Sequence, residues 1–155
     1  MRHLGKLIGL SVFAATLAIP ATASASMANL VNGTVTTGGT TCNWTDATTS
    51  DNPPNQLTID GASVSITCDD GTPITLNNSP QVTFDDAAGT GTADAINITG
   101  SKAGVECTYE ATGVLFTRDG DTRDYTGGPY TAELVDGGIL CPGSQTLDTA
   151  AVSFH

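Results

Sequence analysis

The chain has 155 residues, enough for one domain, and sets 16 acidic residues against five basic ones. Past residue 25 only Lys102, Arg118 and Arg123 remain basic, so that part carries a formal charge of −13, which disfavours nucleic acid and anionic membrane surfaces as direct partners. Its one histidine is the terminal His155, which leaves a histidine-centred triad or a multi-histidine metal site almost nothing to be built from.

Residues 1–25 read as a secretory signal peptide. Arg2 and Lys6 supply the positive start, Leu7–Ile19 is mostly apolar, Pro20 breaks the run, and Ala23-Ser24-Ala25 is a small-x-small cleavage site. The apolar run is too short to span a bilayer. The working unit is therefore residues 26–155, expected to be exported and soluble, with at most non-covalent attachment to an envelope. Four cysteines in an exported chain imply two disulfides. Of the three pairings, Cys42–Cys68 and Cys107–Cys141 keep both loops local. They matter because Val, Ile, Leu and Phe supply only 24 of the 130 residues from Ser26 onward, a lean core for an acidic chain.

No stretch beyond the leader has helical periodicity. Threonine contributes 24 residues and glycine 16, a composition that suits strands and turns. Apolar residues alternate through Val64, Ile66 and Cys68, then Ile74 and Leu76, Val82 and Phe84, Ile96 and Ile98, Val105, Cys107 and Tyr109, and Val152 and Phe154. Asp60-Gly61 predicts a two-residue hairpin turn that sets Leu57 opposite Val64. Asp69-Asp70-Gly71 predicts a three-residue loop with Gly71 left-handed, pairing Ile66 with Ile74. The two turns together predict a three-stranded meander over 55–77. Asp119-Gly120 would pair Val114 with Tyr125, and Asp136-Gly137 would pair Ala132 with Cys141.

Cys42-Asn43-Trp44 and Cys107-Thr108-Tyr109 share a cysteine-x-aromatic pattern. Each is followed by a second cysteine, then by Thr75-Leu76-Asn77 with Val82-Thr83-Phe84, or by Thr146-Leu147-Asp148 with Val152-Ser153-Phe154. This suggests an internal twofold repeat, with halves 26–86 and 94–155 joined through the small residues 87–93. The expected fold is all-β: an antiparallel β-sandwich or small barrel of roughly 9–11 short strands with two disulfides. Trp44 lies two residues after the first cysteine, so the immunoglobulin spacing is not met.

Two candidate sites stand out. Asp119, Asp121 and Asp124 place three carboxylates within six residues, oxygen ligands of the kind Ca²⁺ takes; a solvated hairpin tip is the plainer reading. Tyr125 and Tyr130 flank a Gly-Gly-Pro turn and, if partly exposed, offer a stacking platform for a sugar, with Trp44 and Tyr109 covering the disulfides. No phosphate loop, dinucleotide fingerprint or Cys-x-x-Cys is present, so neither catalysis nor a cofactor other than Ca²⁺ is expected.

The basic start, the alanine-rich cleavage region, the Thr/Gly/Asp-rich body and Leu140-Cys141-Pro142 resemble small secreted β-rich proteins of high-GC Gram-positive bacteria. The resemblance implies export and assigns no catalytic residue. The function expected is a secreted, non-catalytic binding or structural module in the extracellular space or at the cell envelope. Its partner would be a neutral or cationic protein or polysaccharide, or another copy of itself. An envelope β-barrel or pore-former and a small secreted hydrolase are the alternatives.

Overall fold

The computed structural model describes residues 28–155; the signal peptide expected over residues 1–25 lies outside the described residues. Twelve strands follow one another: Asn29–Thr37 (β1), Thr40–Thr49 (β2), Leu57–Thr58 (β3), Thr67–Cys68 (β4), Ile74–Leu76 (β5), Gln81–Asp85 (β6), Thr90–Lys102 (β7), Val105–Arg118 (β8), Asp124–Gly127 (β9), Tyr130–Gly137 (β10), Ser144–Leu147 (β11) and Thr149–Phe154 (β12). The fold is all-β and every strand pairing is antiparallel.

The strands form an open sheet in the order β3-β6-β7-β8-β9-β12-β1-β2-β4, with β5 beside β7 and β10 between β8 and β11. Its two flanks meet where Thr49, ending β2, bridges Ile59 just past β3. Ser50 N donates to Thr58 O at 3.0 Å and Asp60 N to Thr48 O at 2.9 Å, so the rolled sheet is joined there by main-chain bonds.

The pairings of β1–β6 are echoed by β7–β12. Each set opens with a hairpin, β1–β2 or β7–β8. The second strand then pairs with the fourth, β2 with β4 and β8 with β10, and the third pairs with the sixth, β3 with β6 and β9 with β12. The sixth strand of each set crosses to the first strand of the other, as β6–β7 and β12–β1. Both disulfides follow the same plan, Cys42–Cys68 from β2 and Cys107–Cys141 from β8.

Turn chemistry was legible, but strand partners differ from those expected. Gly71 is left-handed, with φ +74°, and its N–H reaches Cys68 O at 3.1 Å. The strands it joins then diverge: β4 runs to β2, placing Cys42 opposite Cys68, and β5 runs to β7. The hairpin at Asp60-Gly61 is replaced by a single 3-10 turn over Gly61–Ser63, capped by the Asp60 carboxylate, which accepts from Ala62 N at 3.1 Å. A Cβ at Gly61 would lie 2.2 Å from the Asn78 carbonyl oxygen, so glycine there serves close approach of the chain. Leu57 consequently faces Val82, not Val64, and no meander forms over 55–77.

The turn at Asp119-Gly120 exists but is wider than expected, with Arg118 opposite Tyr125. Ala132 pairs with Gln145 instead of Cys141, because the segment after Gly137 bulges out into a loop tied back at Cys141. That loop exposes Ile139 and Leu140.

The chain-entropy model assigns each disulfide roughly 3–4 kcal/mol for its loop of 26 or 34 residues. Replacing Cys107 and Cys141 together by serine should therefore shift the urea midpoint by an amount equivalent to about 3–4 kcal/mol, or unfold the chain outright. Urea melts followed by far-ultraviolet circular dichroism measure this.

Candidate functional site

Alternation along the strands turns Val82 and Phe84 of β6, Val114 and Phe116 of β8, and Val152 and Phe154 of β12 toward one interior. The two long hairpins change face part-way along. On β7 the inward residues are Gly91 and Ala93, then Ile96 and Ile98; on β8 they are Cys107, Tyr109 and Ala111, then Val114 and Phe116. The switch falls at Gly113, whose φ is +59°. On β2 the same switch falls between Trp44 and Ala47, at Asp46 with φ +55°. Each kink lets one hairpin line the interior along its whole length.

The interior is incompletely filled, leaving a cavity of about 140 Å³. Its lining is almost wholly aliphatic and aromatic, from Val35 and Trp44 on one side to Ile96, Ile98 and Phe116 on the other, and Thr37 is its one threonine. No charged side chain lines it. Two aromatic rings occupy space that a Cβ would otherwise take. A Cβ on Gly33 would lie 1.9 Å from Trp44 Cζ2, and one on Gly91 would lie 2.9 Å from Phe84 Cε1. Phe84 and Tyr125 each meet Phe154 edge-to-face with centroids 5.8 and 5.9 Å apart and tilt against one another at 5.3 Å, and Tyr130 tilts against Phe116 at 5.8 Å.

A larger recess of about 520 Å³ opens at one end. It shares Thr37, Cys42, Ile74, Ile98 and Leu147 with the inner cavity. Cys42, Cys68 and Cys107 line it, so both disulfides sit at this mouth. Its charged residues are Asp70 and Lys102, whose side chains approach to 4.0 Å. Asp70 is held below the usual carboxylate range, chiefly by hydrogen bonds from Thr72, with help from Thr40 and the Lys102 charge.

The residues singled out in the sequence lie as follows. Asp119, Asp121 and Asp124 share the β8–β9 turn, which is closed by main-chain bonds, and of the three carboxylates that of Asp124 is held from β12. Asp119 N donates to Asp124 O at 2.8 Å, and the Asp124 carboxylate accepts from Ser153 Oγ at 2.5 Å. Among the described residues no group of three or more His, Cys, Asp or Glu side chains is gathered to hold a metal. Of the two tyrosines, Tyr125 is 3% exposed and Tyr130 is half-buried, and both line the cavity. The Tyr130 hydroxyl donates to Leu115 O. His155 does not fray, since its main chain makes two bonds to Leu30, and its ring meets only the exposed Asp46 carboxylate at 3.3 Å. Sequence reasoning missed Trp44 as a cavity residue, assigning it to cover a disulfide; Gly33, directly opposite it on β1, was the available signal.

No family model, curated protein or solved structure matches the chain. Among the described residues no helix is long and apolar enough to cross a membrane.

Two outcomes follow. Gly33→Ala forces the Trp44 ring off β1 and should cost about 1–3 kcal/mol, with a change in Trp44 emission measured during urea unfolding. Burial raises the Tyr125 and Tyr130 phenols above their ordinary 10.0. The unfolded chain then ionises first, so this stabilisation is complete below pH 10 and is lost as pH climbs through the raised values. Thermal melts across that window should show a fall that is shallower in Tyr130→Phe.

Proposed function

We propose that the protein is an exported, non-catalytic binding module that holds a small apolar molecule inside its rolled sheet. The observation carrying this reading is the 140 Å³ cavity with an apolar lining, reached from a 520 Å³ mouth. Cavities of roughly this size and character stay dry and take up ring-sized apolar molecules. Cavity and mouth together fall in the range of about 300–1,000 Å³ used for small-molecule recognition.

Export is supported by the leader sequence and by two disulfides of the kind that persist in oxidising compartments. The non-catalytic part of the reading rests on the thin supply of basic catalytic groups, one lysine and one histidine past residue 25. Lys102 is 83% exposed at its side chain, and His155 pairs with an exposed aspartate. An acidic exterior suits a neutral cargo and repels anionic competitors.

Toluene tests the reading. Titrated into the disulfide-bonded protein, it should produce saturable one-to-one shifts of cavity methyl resonances from Val114, Ile96 and Ile98. Ala150→Leu, which adds bulk to the lining, should abolish them while the fold persists by circular dichroism. Shifts that rise linearly without saturation, or that survive in Ala150→Leu, would remove the cavity as the site.

A further inference from the structure

We propose that the protein seats the mouth of its recess on a neutral, zwitterionic lipid surface through the apolar tip Ile139-Leu140. These are the two most exposed large hydrophobic side chains among the described residues, at 103% and 75%. They stand side by side at the corner of one turn, closed by Cys141 N donating to Gly138 O at 2.9 Å. Turn corners ordinarily take glycine, proline, asparagine, aspartate or serine. An isoleucine and a leucine there put aliphatic surface into water against local preference, the kind of exception found at functional sites.

Two further ties hold the tip out. Cys141 is bonded to Cys107 in β8, and a Cβ at Gly137 would meet Cys141 Sγ at 2.6 Å, so glycine there makes room for the bridge. On the other side of the loop Leu134 N donates to Gly143 O at 2.9 Å. A projection fixed in this way loses little freedom when it is buried. From Gly137 to Gly143 the chain carries no charged side chain. Leu140 and Pro142 also line the recess, so whatever covers the tip meets the mouth.

A lipid surface fits this tip better than a second protein does. A stable protein interface takes about 800 Å² from each partner with matched shape, and a two-residue tip supplies a small part of that. Copies of this chain, each at −13 past residue 25, also repel one another. Lipid accepts a projecting side chain without a matching pocket. The same charge disfavours anionic headgroups and leaves zwitterionic ones. Two aliphatic side chains anchor less than one acyl chain, which itself binds only reversibly, so the contact is transient and the protein stays recoverable from water. The contact rests on the tip and not on what fills the cavity.

Bicelles of dimyristoylphosphatidylcholine, doped with a lipid bearing a nitroxide near the top of its acyl chain, test the inference on disulfide-bonded, methyl-labelled protein. The methyl resonances of Ile139 and Leu140 should broaden as lipid is added. Those of buried Val31, toward the opposite end of β1 from the Thr37 that lines the mouth, should stay sharp. The double variant Ile139→Ser with Leu140→Ser should keep the fold by circular dichroism and lower partitioning to phosphatidylcholine vesicles, read by flotation, by about tenfold or more. Vesicles containing phosphatidylglycerol should bind the unaltered protein less at low salt. Sharp Ile139 and Leu140 resonances in the bicelles, equal flotation of the double variant, or tighter binding to phosphatidylglycerol would overturn the inference. Movement of the same resonances with protein concentration alone, without broadening by the lipid, would overturn it in favour of a second copy. The bicelle measurement is made on the unaltered protein, so the test stands even if the double variant does not fold.

Discussion

The main-chain ladder between β7 and β8 sets the position of nearly everything else. It runs the full length of both strands, from Thr90 opposite Thr117 to Lys102 opposite Val105. One edge of the hairpin receives β6 and β5, and the other receives β9 and β10. A hairpin this long would present one face to the interior and one to water throughout if its alternation never broke. The left-handed Gly113 turns the face over, so Ala93 with Val114 and Ile96 with Ala111 all point inward. Asp46 does the same for β1–β2, and the two hairpins enclose one space.

The side chains available to fill that space are small. Strand number and tilt set the width of a rolled sheet, whatever the side chains inside. Here Ala47, Ala93, Ala111 and Ala132 are all buried, and glycine stands under Trp44 and Phe84. Well-packed interiors leave few voids larger than water. A shortage of bulk on an all-apolar lining therefore produces a cavity that water does not favour, with its opening held in shape by two covalent bridges.

Much of the fold could be read from local chemistry. Alternation identified β5, β6, β8 and β12, and the local-loop argument paired the cysteines as Cys42–Cys68 and Cys107–Cys141. Gly71 adopted the left-handed backbone expected of it. Strand partners were not legible, because a turn dictates where the chain reverses and says nothing of which neighbour it then meets. Leu57 satisfies the alternation against Val64 or Val82 equally well, and contacts distant in sequence decide between them. The strand β1 was overlooked because Val31, Gly33 and Val35 give a thin apolar signal amid threonine and asparagine. The cavity depends on volume left over among many residues, a quantity no single spacing encodes. Tyr125 and Tyr130 stand out in the sequence beside a Gly-Gly-Pro turn, but which side of the sheet their rings face depends on strand partners that the turn does not specify.

The pairing of β6 with β7 and of β12 with β1 means that the last strand of each set of six is bonded to the other set as well as to its own. Cutting the chain between Asp85 and Thr90 would leave each fragment with an orphan edge whose natural complement lies on the other piece. Cooperativity is thereby built into connectivity: opening one half strips hydrogen-bond partners from its counterpart, so the molecule melts as a single unit.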